Sequence, residues 1–230
     1  MDFTNAIQIA GVIDQSEADM LVECGVRYLG FPLRLPVHKE DLCETDAATI
    51  ISNLPKPCQG ILITYLNNSR EIIEFCDFLG VSVVQLHGDI SVAELGQLKQ
   101  DRPTLSVIKS LVIGQRAIEE LFDIVRASAA YVDAYITDTY DPATGASGAT
   151  GKIHDWALSK RFVKESPRPI ILAGGLNPRN VKDAIHSVGP AGVDSHTGVE
   201  DSNGRKSREK VMKFVAKARE TFRELNRVAV

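Results

Sequence analysis

Two segments late in the chain combine glycine with small polar residues in a way that suits an anion. Gly174 and Gly175 follow the apolar run Ile171–Ala173, and Thr197 and Gly198 come further along the chain. Glycine lets backbone N–H groups approach an anion closely, and hydroxyl groups add further donors. We therefore expect these two segments to bind a phosphate together, although tight turns alone would also require glycines.

A third glycine-rich segment and three polar side chains complete the candidate chemistry. The segment Gly148–Lys152, with Gly151 in it, could close over the same anion. Gln85 and His87 stand two residues apart, a spacing that directs both side chains to one side of a strand. Asp138 ends an apolar run, where burial would favour its protonated form and suit a general acid. The alternatives are a histidine that only binds a loop and a salt-bridged structural aspartate.

The elements that must position these residues are short apolar runs that alternate with helical patterns. Such runs are continuous and often β-branched, which is typical of parallel strands buried on both faces. The predicted strands are Ile7–Ala10, Tyr28–Phe31, Gly60–Thr64, Ser82–Leu86, Leu105–Ser110, Ala134–Thr137, Ile170–Ala173 and Gly192–Asp194.

The segments between the strands contain helix start and stop signals. Ser16 with Asp19 and Ser91 with Glu94 match the capping-box pattern, and Asn177 before a proline predicts another N-cap. Glycines after predicted helix ends should adopt positive φ angles. These glycines are Gly25, Gly80 and Gly189.

Eight strand–helix units in 230 residues predict a (βα)8 TIM barrel, an α/β fold, in one domain over residues 1–230. An open doubly wound sheet is disfavoured because Ala10–Ile13 lacks the glycine fingerprint of a dinucleotide site. In a barrel the candidate residues would meet at the carboxyl ends of the strands, and the loops after strands seven and eight often bind phosphate.

Composition excludes several classes of protein. The net charge of −4 gives no basic excess for nucleic acid, and no apolar run is long enough to span a membrane. The amino terminus lacks a signal-peptide pattern, and the four cysteines form no CxxC pair. We expect a cytoplasmic protein with free, mostly buried thiols and no structural zinc.

The sequence resembles the phosphoribosylanthranilate isomerase family, (βα)8-barrel enzymes of tryptophan biosynthesis, over almost its whole length. The segments QLHG and LAGGLNP occur together in this chain, and this combination makes the resemblance to the family specific. The matching segments are Val84–Gly88, Val107–Lys109, Asp138, Gly148–Lys152, Asp155–Trp156, Ile171–Pro178, Gly192–Asp194 and Gly198–Glu200.

The resemblance implies an Amadori rearrangement of a small phosphorylated sugar that needs no cofactor or metal, in a monomer or homodimer. A general acid opens the ribose ring of a ribosylamine phosphate, and a cysteine base removes the proton from C2′. That cysteine ends strand one in a K-[IV]-C-G pattern, whereas this chain reads Gln8-Ile9-Ala10-Gly11. Ala10 has no titratable group and Gln8 replaces the lysine. The sequence therefore predicts weak or no isomerase activity and a gain on Ala10→Cys, unless another base has taken over.

Other departures lie in neighbouring loops. His196 and Thr197 replace the two serines expected after strand eight, and the loop containing Arg34 is shortened. His196 or Asp14 could serve as the replacement base, since both lie near a strand end. The sequence thus assigns catalysis to Asp138 and His196, substrate contacts to Arg34, Gln85, His87 and Asp194, and phosphate contacts to Gly151, Gly174, Gly175, Thr197 and Gly198.

Three functions fit this pattern. The first is an isomerase of the same reaction type, and the second is a related enzyme that acts on another phosphosugar. The third is a non-catalytic barrel that binds a phosphorylated metabolite, which the retained Asp138 argues against because a binder needs no buried acid.

Overall fold

The computed structural model describes residues 3–36, 42–141, 143, 146–147, 151 and 153–228. In these residues nine strands and eight α-helices follow one another along the chain. The strands are β1 Ala6–Ala10, β2 Tyr28–Pro32, β3 Gln59–Thr64, β4 Val83–Leu86, β5 Ser106–Ile113, β6 Ala134–Asp141, β7 Ala146–Ser147, β8 Ile170–Leu172 and β9 Gly192–Ser195. The helices are α1 Gln15–Glu23, α2 Glu44–Asn53, α3 Ser69–Leu79, α4 Val92–Asp101, α5 Ile118–Ser128, α6 Trp156–Glu165, α7 Val181–Val188 and α8 Arg208–Val228.

Eight of the strands close into the predicted parallel barrel. The order β5-β4-β3-β2-β1-β9-β8-β6 is completed by pairing of β5 with β6. The barrel strands seven and eight of the sequence prediction are therefore β8 and β9. The (βα)8 prediction is confirmed, and it places the carboxyl ends of all eight strands at one mouth.

One prediction fails at the end of strand six. The sequence predicts a strand that ends at Thr137, but β6 continues to Asp141 and pairs antiparallel with β7, with Tyr140 opposite Ser147. The hairpin was missed because its second strand has only two residues, Ala146–Ser147, too few for a period of two to be visible.

The strands separate two hydrophobic layers. On β1, Ile7 and Ile9 face outward and pack in the large core beneath the helices. Ala6 and Ala10 face inward and belong to a smaller cluster that fills the barrel. Because side chains alternate along a strand, Gln8 must also face inward, between these two alanines.

Two helix starts lie elsewhere than predicted. Asp14, not Ser16, is the N-cap of α1, and its carboxylate accepts a hydrogen bond from Glu17 N at 2.8 Å. The start of α7 lies at Asn180 rather than Asn177, because the amide oxygen of Asn180 accepts from Asn177 N and closes a turn first. Ser91 is the N-cap of α4 as predicted.

The predicted glycine conformations are confirmed at the ends of three helices, with φ of 85° at Gly25, 70° at Gly80 and 67° at Gly189. All four cysteines are free thiols, but Cys43 is exposed and only Cys76 is fully buried, so the expectation of mostly buried thiols is wrong. None of the helices in the described ranges has the length and apolar character needed to cross a membrane.

Candidate active site

A pair of glutamine side chains crosses the inside of the barrel below its mouth. Gln8 on β1 donates from Nε2 to Oε1 of Gln85 on β4 at 2.9 Å. Both residues are buried, with 2% and 4% of their surface exposed. Because a buried amide must be hydrogen-bonded, this contact fixes both side chains as a polar floor for the site. Gln85 thus faces the barrel interior as predicted, whereas Gln8 was noted only as a replacement for lysine.

Asp138 stands above this floor on β6. It is opposite Val112 of β5, and its carboxylate accepts a hydrogen bond from Thr139 N at 2.8 Å. Desolvation raises the pKa of its carboxyl group, while the charge of His87 and the Thr139 hydrogen bond act in the opposite direction. The raised pKa favours the protonated form that a general acid requires.

His87 acts electrostatically on Asp138 and contacts residues on or after neighbouring strands. Its Nδ1 atom lies 2.8 Å from Ser110 Oγ on β5, and its ring meets that of Tyr65 edge-on with 4.9 Å between centroids. Burial, and after it the charge of Asp138, raises the pKa of the Tyr65 phenol to about 12. Tyr65 was missed by the sequence analysis, because a tyrosine after β3 carries no signal of its distance from β4 and β6.

Asp194 provides a second carboxyl group inside the barrel. It is paired in register with Gln8 and is only 8% exposed. Its Oδ1 atom is buried with no hydrogen-bond partner among the described residues. Burial, and next the charge of Asp138, raises the pKa of Asp194 to about 8, although a hydrogen bond with Gln8 and the charge of Lys206 oppose the shift.

The end of strand one carries no proton-transferring group of its own. Ala10 packs in the inner cluster, and Gly11 follows it with a φ of 81°. The ring of His196 covers this strand end, since a Cβ atom added to Gly11 would lie 2.1 Å from His196 Nε2. Burial, and to a lesser extent the charge of Lys206, lowers the pKa of His196 to about 3, so its imidazole is neutral.

The glycine loops after β8 and β9 lie together, and Gly151 lies near them. A Cβ atom on Gly198 would lie 1.9 Å from the carbonyl oxygen of Leu176, so the loops after β8 and β9 touch. Gly151 approaches from the loop after β6, where an added Cβ would stand 3.5 Å from Thr197 Oγ1. Gly148, Ala149, Thr150 and Lys152 of the predicted loop lie outside the described residues.

The loop after β8 is held in a conformation that only glycine adopts easily. Gly174 and Gly175 have φ angles of 94° and 64°. The side-chain amides of Asn177 and Asn180 both donate to the Gly175 carbonyl oxygen, at 3.2 and 3.0 Å. A carbonyl that is engaged in this way is kept from facing an anion, which leaves backbone N–H groups to do so.

Asp14 does not occupy the position expected of a base. Besides capping α1, its carboxylate pairs with Arg205 at 2.6 Å. Desolvation would raise its pKa, but the hydrogen bonds from Arg205 and from the start of α1 outweigh this and lower it. A carboxylate held by Arg205 and by the start of α1 is a poor proton acceptor, which argues against Asp14.

Arg34 and Lys109 also lie away from the inward-facing groups. The Arg34 guanidinium pairs with Glu44 at 2.8 Å and sits 3.7 Å over the ring of Phe75, in the helix layer. The contact of Arg34 with a substrate stays a prediction, and in this structure the guanidinium is held by these two partners. Lys109, at an outward position of β5, donates to the Gly88 carbonyl oxygen at 2.9 Å, and burial lowers its pKa to about 8.

His154 is a further residue that the sequence analysis missed. Its two ring nitrogens contact Thr139 Oγ1 at 2.9 Å and Ser159 Oγ at 2.6 Å. A Cβ atom on Gly174 would lie 2.3 Å from the same Thr139 hydroxyl. His154 therefore supports the residue next to Asp138 and the loop after β8 together, and burial lowers its pKa to about 4.

The fold and this arrangement define a class of protein: a single-domain (βα)8 barrel with a buried acid at strand six and glycine loops at strands seven and eight. The sequence model of N-(5′-phosphoribosyl)anthranilate (PRA) isomerase matches residues 7–217. The chain belongs to this family.

Individual relatives agree with that assignment. N-(5′-phosphoribosyl)anthranilate isomerase 2 of Methanosarcina mazei is 37% identical over 218 residues, covering 94% of this chain and 95% of the relative. Phosphoribosyl anthranilate isomerase from Thermotoga maritima has a TM-score of 0.79 and 26% identity, covering 94% of this chain and all of that one. The enzyme from Thermococcus kodakaraensis has a TM-score of 0.74 and 27% identity, over 94% and 99% of the two chains.

Proposed function

We propose that this chain isomerises N-(5′-phosphoribosyl)anthranilate to the corresponding 1-amino-1-deoxyketose phosphate, as a step of tryptophan biosynthesis in the cytoplasm. Family membership supports the reaction type, and relatives that are named for this activity support the substrate. The other two functions considered above, a different phosphosugar enzyme and a non-catalytic binder, are not favoured by any of these relatives. The oligomeric state remains a prediction of monomer or homodimer.

The observation that carries the proposal is Asp138 at the end of β6. Its desolvated carboxyl group has a raised pKa and faces the same mouth as the glycine loops. Ring opening breaks the bond between C1′ and the ring oxygen, and that oxygen must receive a proton. Asp138 donates this proton, while the nitrogen lone pair forms a double bond to C1′. The mechanism assigned here consists of proton transfers, so it includes no metal or cofactor.

The other end of the substrate supplies binding energy. We assign the phosphate to the backbone N–H groups of Gly174, Gly175 and Gly198. The Thr197 hydroxyl and Gly151 are assigned to the edge of the same phosphate site. Support comes from the contact between the loops after β8 and β9 and from the engaged Gly175 carbonyl. Fixing the phosphate orients the ribose toward Asp138, and positioning of this kind contributes to the rate.

Polar groups between these two ends are assigned to the ribosylamine. Gln85 and His87 lie on one face of β4 and its end, and both are buried at the floor and side of the mouth. Because each already has a protein partner, they add directional contacts without a large cost in side-chain ordering. Arg34 is left out of this assignment, because its guanidinium lies against Glu44 and Phe75.

His196 stays a candidate for the missing base, since its ring covers the end of strand one. Two observations weigh against it. Its Nε2 atom lies 3.4 Å from Glu200 Oε1, and its low pKa of about 3 gives little driving force for taking a proton from carbon.

Conversion of purified N-(5′-phosphoribosyl)anthranilate tests the proposed function. Substrate and aminoketose are separated by chromatography, with the heat-denatured protein as the blank. We expect conversion that is saturable in substrate and is inhibited by inorganic phosphate. A folded protein that converts no substrate above the blank at equimolar concentration, with Ala10→Cys equally inactive, would contradict the proposal.

A further inference from the structure

The proposed reaction needs a base near C2′, and strand one offers only Ala10. The described residues that could supply one near the mouth are Asp14, His196 and Asp194. Asp14 is held by Arg205 and the start of α1, and His196 is directed toward Glu200. Asp194 differs from both because one of its carboxyl oxygens is buried inside the barrel without a partner among the described residues.

We propose that Asp194 is the general base for the C2′ proton and that it works as a pair with Asp138. This inference rests on the proposed function and adds a catalytic role to a residue that the sequence assigned only to substrate contact.

The position of Asp194 suits a base at the end of strand one. Asp194 on β9 is paired with Gln8, two residues before Ala10 on the adjoining strand. Its side chain is therefore on the inward face directly below the strand end that lacks a base. The residue is 8% exposed, so its carboxyl group is shielded from bulk water. An unpaired buried carboxyl oxygen is costly, and a substrate group that fills this space would relieve the cost.

The charges around Asp194 and Asp138 also suit a pair that shares a proton. The charge of Asp138 raises the pKa of Asp194, and burial desolvates both carboxyl groups. Two carboxyl groups that repel in this way share one proton over a wide pH range. The Lys206 ammonium also acts on Asp194, but more weakly than Asp138, and Gln8 beside it is neutral. Because the pKa of Asp194 is raised to about 8, the shared proton rests on Asp194 near neutral pH. The reactive form of the pair is the one in which that proton lies on Asp138, so that Asp138 is the acid and the Asp194 carboxylate is the base.

The proton balance closes with these two groups. Asp138 gives its proton to the ring oxygen, leaving an open-chain iminium between C1′ and nitrogen. The Asp194 carboxylate takes the proton from C2′; the C–H electron pair forms the C1′–C2′ double bond, and the iminium pair returns to nitrogen. Asp194 then protonates C1′ while the C2′ enol hydroxyl returns its proton to Asp138. Both groups recover their starting states, and the substrate has only been isomerised.

The central variant is Asp194→Asn, which keeps the size of the side chain and its hydrogen bonding but accepts no proton. We expect kcat to fall by about 10²–10⁴-fold, the usual contribution of a positioned base, with KM changed much less. With substrate deuterated at C2′, the primary isotope effect on single turnovers should increase, because proton transfer becomes slower. A role only in folding or binding would leave that isotope effect unchanged.

A thiol on strand one should replace the lost base. We expect Ala10→Cys in the Asp194→Asn background to recover at least about tenfold in kcat, as a restored base should. Ala10→Ser in the same background is the matched control, since serine has nearly the same size but is not a base at neutral pH. Recovery by cysteine and not by serine supports the inference. Equal activities of these two folded double variants would overturn it.

The pH profile gives an independent test. Activity requires one proton on the pair, so it should fall as pH rises through the upper pKa, which is about 8 for Asp194. Gln8→Lys would place an ammonium beside Asp194 and lower that pKa, so the falling limb should move to lower pH. Gln8→Met is the neutral control and should not lower it. An unmoved limb in Gln8→Lys would count against Asp194.

The outcomes separate this inference from the proposed function. No turnover by the wild type or by Ala10→Cys contradicts the proposed function. Turnover only after Ala10→Cys contradicts both, because the native chain then has a substrate site but no base. Wild-type turnover that survives Asp194→Asn but is lost in His196→Ala overturns the role of Asp194 alone and assigns the base to His196.

Discussion

The two halves of the barrel mouth differ in the functional groups that they carry. The half formed by β6, β8 and β9 has Asp138, two glycine loops that touch, and Gly151 near them. The half formed by β1 and β2 contains Ala10 and Gly11, and its charged residues Asp14 and Arg34 are paired with Arg205 and Glu44. The acid and the phosphate end of the proposed site are therefore retained, while strand one offers no group for proton abstraction.

Packing explains why the first half resists change. A side chain on Gly198 would collide with the Leu176 carbonyl oxygen, and one on Gly174 with the Thr139 hydroxyl. Ser195 Oγ also donates to the Leu176 carbonyl oxygen at 2.7 Å, which ties the two loops together. A replacement at either glycine would move backbone that also supports the neighbour of Asp138. At position 10, by contrast, a small residue is accommodated by the inner cluster without moving any loop.

The largest effect should come from the acid in the retained half. Asp138→Asn removes the proton donor while preserving the shape of the side chain, so ring opening should slow by about 10²–10⁴-fold. Turnover of N-(5′-phosphoribosyl)anthranilate at saturating substrate measures it.

Asp133→Asn is the matched control for that variant. Asp133 lies before β6 at the opposite end of the barrel, where it accepts from Val107 N at 2.7 Å and Lys99 Nζ at 2.8 Å. The Asp133→Asn variant should have lower thermal stability than the wild type but the same kcat. Equal kcat in Asp138→Asn and the wild type would show that Asp138 has a structural role only.

An intermediate effect is expected at the phosphate end. Gly175→Val should abolish stabilisation by ribose 5-phosphate, because valine cannot keep the positive φ that aims the loop at the anion. At a ligand concentration near 100 times Kd the lost stabilisation is about 2.7 kcal/mol, or about 5–10 °C in Tm for a chain of this size.

Gly189→Val is a control for backbone strain. Gly189 has nearly the same φ, 67° against 64°, and an added Cβ would meet nothing within 4 Å. Both variants should lose intrinsic stability, but Gly189→Val should keep the full ligand-dependent rise in Tm. An undiminished rise in Gly175→Val would show that the loop after β8 does not hold the phosphate.

The smallest effect should come from the altered half. Arg34→Ala removes a partly exposed pair with Glu44 and the contact with Phe75. We expect a loss of about 1 kcal/mol, or about 2–4 °C in Tm, with KM for the substrate unchanged. A rise in KM of about tenfold, equivalent to 1.4 kcal/mol, would mean that Arg34 reaches the substrate and that the halves differ less than the structure indicates.

Much of the fold could be predicted because its signals are local. Continuous apolar runs and capping residues such as Ser91 identify strands and a helix start without knowledge of their neighbours. The start of α1 was misplaced because Asp14 and Ser16 are both good caps, and only the pairing of Asp14 with Arg205, far along the chain, distinguishes them. The hairpin of β6 with β7 was missed because two residues are too few to show a period.

The sequence by itself determined which residue types are present at the strand ends: Asp138 as an acid, glycine where loops approach closely, and no titratable group at Ala10. Tertiary structure decided which of those residues meet. Gln8 joins Gln85 from across the barrel, His196 covers Gly11, and Asp194 faces inward near Asp138. The physical reason is that proton affinity depends on burial and on charges brought close by barrel closure, and neither is encoded in the spacing of residues along the chain.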